Sequence, residues 1–356
     1  MKVLHIPPSF ENKPRWKELF YYPLRQQVDF WGTPGFFYAS FYDAFADIDR
    51  RSAEWVLQNY KQVNDDYDFV LVDLRLDTRF FSYGEFNAVH KKITKRLTIP
   101  KVLFEVSDRA AKMWPDEVLD GYDLVFKREP YKDRSKYDLS QENQAKIRTT
   151  MLSCPFVFHP ARSVFRPLKR LLEPRPISNE EYNEQDYDVF FSGMISPKNK
   201  VRETVWQALI DDPDIKTLGG LQDRTLNLSK KVKYSKLKGE NLSRRKYIEG
   251  IKRSKIGLGL DGLGQFTFRH LELWYMGAFM ICSPNIKEQE LPLPVEEGKH
   301  YVTYNDIDDL VKKVLYYSAH DEERFEIAMA GKEIFAKHYD IVKHGEYIKN
   351  QIKNIS

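Results

Sequence analysis

The chain opens on a short apolar run, MKVLHI, that stops at Pro7-Pro8. Val and Ile suit a pleated surface and a proline pair removes two backbone donors, so the run predicts a central parallel strand meeting a loop at its carboxyl end. Similar runs recur at DYDFVLVDLRL (66–76), IPKVLFEVSD (99–108), GYDLVFKREP (121–130) and CPFVFHP (154–160), each ending in polar or proline residues. Helix-length segments such as SAEWVLQNYKQV and YGEFNAVHKKITKRL lie between them. This alternation predicts repeated βα units around a parallel sheet.

The pattern breaks after Pro167, where PLKRLLEPRPISNEEYNEQDY is rich in proline and charge and poor in strand formers, the composition of an interdomain linker. It restarts with YDVFFSGMISPKNKVRETVWQALI: a strand, a Ser192-Gly193 turn, a basic loop, and a helix with Val201, Val205 and Leu209 on one face. Further strands are expected at DIKTLGG (214–220), KIGLGLDG (255–262), GAFMICSP (277–284) and HYVTY (300–304). Apolar spacing of helical period follows over Asp306–Ala319 and Asp321–His338, with Asp306 and Asp321 as N-caps. The expected fold is α/β: a Rossmann-like unit at 1–166, a linker at 167–186, a second Rossmann-like unit at 187–340 and a terminal helix at 341–356.

A length of 356 residues, more than one core usually organises, agrees with two units. Charged residues make up 30% with a net charge of +4, so the surface as a whole is not built for nucleic acid and any basic partner site must be local. The chain has no run of 18 apolar residues and MKVLHIPPSF lacks the marks of a signal peptide, which predicts a cytoplasmic protein without a transmembrane segment, peripheral contact with the inner membrane face staying open. Cys154 and Cys282 lie in apolar surroundings, as buried reduced thiols do, and no nearby histidines complete a zinc site. The aromatic cluster at 19–45 reads either as packing beneath a loop-rich region or as a stacking surface for a sugar or base.

Ligands of open parallel sheets bind beyond the carboxyl ends of the strands, where loop and helix N–H groups point at anions. Two loops fit. Ser192-Gly193-Met194 follows DVFF and precedes Lys198, Lys200 and Arg202; Asp261-Gly262-Leu263-Gly264-Gln265 follows KIGLGL, with Thr267 as N-cap of the helix FRHLELWYM. On that helix Arg269 and Glu272 are three apart and share a face. The planar fork of Arg269 suits phosphate oxygens and the Glu272 carboxylate suits vicinal hydroxyls such as those of ribose; the alternative is an ordinary surface ion pair.

The run YIEGIKRSKIGLGLDGLGQFTFRHLELWYMGAFMICSP resembles the nucleotide-sugar-binding segment of GT-B glycosyltransferases, especially the group that includes CgeB-like proteins, and EEGKHYVTYNDIDDLVKKVLYY continues the likeness. The layout at 188–209 also resembles that of phage DNA β-glucosyltransferases. The resemblance covers about 186–340 well and the first half only in general layout. It implies two Rossmann-like domains facing across a cleft, a nucleotide-sugar donor as co-substrate with no further cofactor, and a hydroxyl acceptor in a glycan, a lipid-linked glycan or another envelope component. It places Glu272 on the family's ribose-binding glutamate and Arg269 on the arginine facing the donor diphosphate. Gly193 falls on the glycine of the second domain's first loop, with Lys198 and Arg202 in the basic positions after it. Retaining members often carry another Glu eight residues before the ribose-binding one, and here that position is Gly264, so the stereochemical outcome stays open.

In such a transfer, arginines, lysines and backbone N–H groups stabilise the leaving diphosphate without a metal. Inversion also needs a carboxylate base, expected from the first domain. Asp73, Asp77, Glu105, Asp108 and Glu129 end its strands. Asp108 is the first choice because it closes a strand and resembles the base position of the phage enzymes, Glu105 is the alternative, and capping of the next helix is the competing role of Asp108. Asp73 and His159 are acceptor-side candidates. The basic segment 224–255 reads as a solvated face, a loop over the donor phosphates, a membrane-facing surface or a contact to DNA phosphates. A sugar-nucleotide epimerase and a non-catalytic nucleotide-binding protein are the competing classes.

Overall fold

The computed structural model describes residues 1–6, 40–42, 44–45, 47–73, 83–105, 109–157, 173–195, 200–222 and 237–355. Asp77, Asp108, His159 and Lys198, most of the 19–45 aromatic cluster and the 223–236 part of the basic segment lie outside them.

The first sheet contains six parallel strands, β1 (Lys2–Ile6), β2 (Asp47–Arg50), β3 (Phe69–Val72), β4 (Lys101–Glu105), β5 (Leu124–Arg128) and β6 (Ile147–Thr150), in the order β2-β1-β3-β4-β5-β6. Its central strands are continuous apolar runs because both faces are covered. Val3, Phe69, Leu71, Val102 and Phe104 enter one core, while Leu4, Ile6, Val70, Val72 and Leu103 enter another. The helices α1 (Ala53–Gln58), α2 (Tyr60–Asp66), α3 (Tyr83–Arg96), α4 (Asp116–Leu119) and α5 (Gln141–Ala145) connect these strands.

The second sheet has five parallel strands, β7 (Tyr187–Met194), β8 (Thr217–Gln222), β9 (Ser254–Gly259), β10 (Phe279–Cys282) and β11 (Val302–Thr303), in the order β11-β10-β9-β7-β8. Helix α6 (Asn179–Asn183) precedes it, α7 (Val201–Asp211), α8 (Arg244–Lys252) and α9 (Phe268–Met276) cross between strands, and α10 (Ile307–Ala319), α11 (Asp321–His338) and α12 (Ile341–Lys353) end the chain. Both cysteines are buried and free. Among the described residues no helix is long and apolar enough to cross a membrane.

Four local readings change. The segment at 154–157 is a turn, closed by Val157 N–H donating to the Cys154 carbonyl at 3.1 Å, and Ile147–Thr150 supplies the last strand instead. Pro155 has no N–H for a ladder. Ser192 and Gly193 are not a turn after β7 but part of it, paired with Gly220 and Leu221 of β8. Part of the expected linker is the helix α6, whose Ser178 cap forms a reciprocal box with Glu181. Asp306 caps α10 by accepting from Asp309 N–H, but Asp321 is the first residue of α11 and turns instead to Arg324 at 2.6 Å.

The two sheets meet through backbone and side chains. Lys132 N–H donates to Glu288 O and Glu290 N–H to Pro130 O, each at 2.8 Å, while Arg134 pairs with Glu290 at 2.6 Å. Arg128, at the end of β5, donates to the Phe266 carbonyl of the other unit at 3.2 Å. Helix α12 folds back onto the first unit, where Gln351 accepts from Arg148 at 2.9 Å.

Candidate active site

Around β7 the second sheet reverses its winding, β8 lying on one side and β9 on the other. Such a switch point opens a crevice beyond the strand ends because the two departing loops go opposite ways. The sequence-predicted residues Ser192, Gly193, Arg202, Gly262, Arg269 and Glu272 meet there.

Arg202 projects from the first turn of α7. Its Nε donates to the Asp261 carbonyl at 2.9 Å and its Nη1 to the Met194 carbonyl at 3.2 Å. Arg269, from the first turn of α9, donates through Nη2 to the Ser192 carbonyl and through Nε to the Tyr247 hydroxyl at 3.3 Å. Both guanidiniums lie over one ring, Phe191, at 4.6 Å for Arg269 and 5.9 Å for Arg202. Burial, then the charge of Arg269, pull the Arg202 guanidinium down to about 10. Two cations anchored on carbonyl dipoles, with the nearest carboxylates turned to other partners, make a place where an anion is favoured.

The glycines of the 261–265 turn serve these arginines. Gly262 N–H donates to the Gly264 carbonyl at 2.8 Å, so this N–H closes the turn and does not face a ligand. A Cβ at Gly262 would stand 2.5 Å from Arg202 Nη2, so the glycine makes room for the guanidinium. Gly262→Ala is expected to move Arg202 and weaken nucleoside diphosphate binding about tenfold while stability changes by less than about 1 kcal/mol. Calorimetry together with urea unfolding checks both halves. Gly264 is buried and Gln265 half-buried behind the turn.

Thr267 is the N-cap of α9 in extended conformation, and His270, fully buried, accepts its N–H through Nδ1 at 3.1 Å. Burial holds the imidazole down to about 4, so it stays neutral beside Arg269. Gly277 ends the helix with φ 69°, a left-handed conformation in which a Cβ would be strained.

Glu272 lies one turn beyond Arg269. Its Oε2 accepts from the Tyr247 hydroxyl at 2.6 Å. The residue keeps some exposed surface, but protein packs closely around the carboxyl group. Burial raises its pKa, while Tyr247, Arg269 and Arg244 pull it back. Tyr247 and Phe191 escaped the sequence reading because spacing along the chain carries no sign of either contact.

On the first sheet, Asp73 and Glu105 are buried at the carboxyl ends of β3 and β4, with Glu105 in register with Lys127. Glu129 gives its carboxylate to the Arg128 fork at 2.6 and 2.5 Å and sits at φ 41°. It is committed as a counter-ion, in a backbone conformation non-glycine residues rarely take. Asp261 is buried, its Oδ2 accepting from Asn285 at 2.7 Å, and burial raises its pKa. Among the described residues no group of acids, histidines or cysteines is placed to hold a metal ion.

Residues 207–350 match the family model described as glycosyl transferase-like, a span that holds Tyr247, the glycine turn, Arg269 and Glu272. No curated protein matches the chain by sequence. Among solved structures, a glycosyltransferase from Rickettsia africae ESF-5 superposes with a TM-score of 0.56 at 12% identity, covering 99% of this chain and 98% of that one. An α-glucosyltransferase in complex with UDP gives 0.52 at 12% identity and covers 99% of both chains. An α-glucosyltransferase in complex with UDP-glucose and DNA containing an abasic site also gives 0.52 at 12%, covering 86% of this chain and 85% of that one. Residues 207–350 are thus similar to the glycosyl transferase-like family, and the chain as a whole shares the two-sheet GT-B fold of these glycosyltransferases.

Proposed function

We propose that this protein transfers a sugar from a nucleotide-sugar donor to a hydroxyl acceptor, gripping the donor diphosphate with Arg202 and Arg269 and its ribose with Glu272. The observation that carries this reading is the pair of guanidiniums on the Phe191 ring, with a carboxylate one helical turn further on. As the sugar–oxygen bond breaks, charge gathers on the leaving diphosphate, and cations already in place stabilise it without reorganising. In this reading the arginines fill the part a divalent cation would otherwise play. Closing the cleft supplies the orientation of the acceptor. Asp108 or Glu105 is the proposed base for an inverting transfer, and Asp73 and His159 the acceptor-side residues.

The test is calorimetric titration with UDP and other nucleoside diphosphates. Glu272→Ala is expected to lower affinity about tenfold or more, since a hydrogen bond to a charged group contributes roughly 1.5–3 kcal/mol. Unchanged affinity would remove the ribose assignment. Incubation with nucleotide sugars then separates the classes: slow donor hydrolysis marks a transferase, an isomerised sugar an epimerase, and binding without turnover a carrier.

A glycan or other envelope hydroxyl is the first acceptor reading. A hydroxylated DNA base is the second, favoured by the exposed Arg244, Arg245 and Lys246 on the first turn of α8 and by the DNA-bound glucosyltransferases that share the fold. Phosphate contacts release counterions, so DNA binding that persists unchanged from 50 to about 200 mM salt would count against this second reading.

A further inference from the structure

Tyr247 stands on α8, and three neighbours fix its ring: Phe190 at 5.5 Å, Phe156 at 6.1 Å and the Arg269 guanidinium at 5.7 Å. The hydroxyl therefore has one place to be, between Arg269 Nε at 3.3 Å and Glu272 Oε2 at 2.6 Å. Its single proton has one useful direction. An arginine N–H offers no lone pair, so the hydroxyl accepts from Arg269 and has its one proton left to donate to Glu272.

We propose that Tyr247 is a positioning residue that sets ribose specificity: it turns the Glu272 carboxylate so that Oε1 is left for a ribose hydroxyl. The assignment rests on the donor-site reading of Arg269 and Glu272. It also couples the two halves of the donor, because a phosphate that draws on Arg269 changes the group that polarises the tyrosine hydroxyl.

Tyr247→Phe keeps the ring and its packing and removes only the oxygen. The probes are UDP and 2′,3′-dideoxy-UDP, which share base and diphosphate and differ in the ribose hydroxyls. Wild-type protein is expected to prefer UDP by tenfold or more. The variant is expected to bind dideoxy-UDP within about twofold of wild type and to lose most of the preference. Equal weakening for both nucleotides, or an unchanged preference, overturns the proposal. Wild-type protein that binds neither nucleotide overturns the donor-site reading and this assignment with it. Binding of both by wild type without preference overturns the role of Glu272.

A pH profile gives a second readout. The other titratable or charged groups facing Glu272 are Arg269 on its own helix, Arg244 on α8 and Cys154 in the 151–157 segment, and the variant leaves all three in place. Without the tyrosine proton the Glu272 carboxylate loses one of its stabilisers, so UDP binding should fail at a higher pH in the variant, its acid midpoint shifted up. A coincident midpoint overturns the proposal.

Discussion

Arg269→Ala is expected to weaken nucleoside diphosphate binding by about a hundredfold, or close to 3 kcal/mol, the largest effect of any single substitution in the site. Several losses act together. The phosphate loses a charge-assisted fork, and the Ser192 carbonyl and Tyr247 hydroxyl lose their donor. Glu272 loses one of the cations that offset the rise burial causes in its pKa. Arg269→Lys should restore the charge but not the fork, recovering about tenfold at most. Titration with UDP checks both substitutions, and a change of less than threefold for Arg269→Ala would place the diphosphate elsewhere.

The second large effect is on acid stability. His270 Nδ1 accepts the Thr267 N–H at 3.1 Å, and His344 Nε2 accepts the Met151 N–H at 2.9 Å. A protonated ring nitrogen cannot accept, so charging either ring breaks the bond as well as placing a cation among buried groups. Burial holds both folded-state values down to about 4, below the ordinary 6.5. The neutral forms are thus the ones bound by the fold. Their stabilisation is complete above pH 6.5, declines as the pH drops below it and is gone below about 4. The loss is about 3 kcal/mol at His270 and somewhat less at the partly exposed His344, together a large share of a typical domain's stability. Urea midpoints between pH 7.5 and 4.5 report the slope. His344→Gln should flatten it, and an unchanged slope would mean that this histidine binds its proton equally well in the folded and unfolded chain.

How much of this was legible in the chain depended on burial. Central strands such as KVLHI, FVLV, KVLFE and FMIC declare themselves because parallel strands covered on both faces need unbroken apolar runs. The edge strands escaped the same reading because DIDR is polar and largely solvent-facing, while IRTT buries two threonines, Thr149 and Thr150, in place of an apolar run. CPFVFHP looked like a strand because Phe156 and Val157 are apolar, yet Phe156 spends its ring on Tyr247 and Tyr275 from a turn. Ser192-Gly193 looked like a turn, but its backbone pairs with β8, which local composition cannot announce.

For the site, the sequence alone determined the helix FRHLELWYM, its entry after a glycine turn, and an arginine and a glutamate sharing one face, since all three follow from spacing within a few residues. Only the tertiary structure decided what those groups meet. It set Arg202 beside Arg269 on Phe191, assigned Gly262 to the arginine and not to a phosphate, and put the Tyr247 hydroxyl between Arg269 and Glu272. The partners of Arg269 and Glu272 lie 22 to 77 residues away along the chain, and helical periodicity speaks only of neighbours one turn apart.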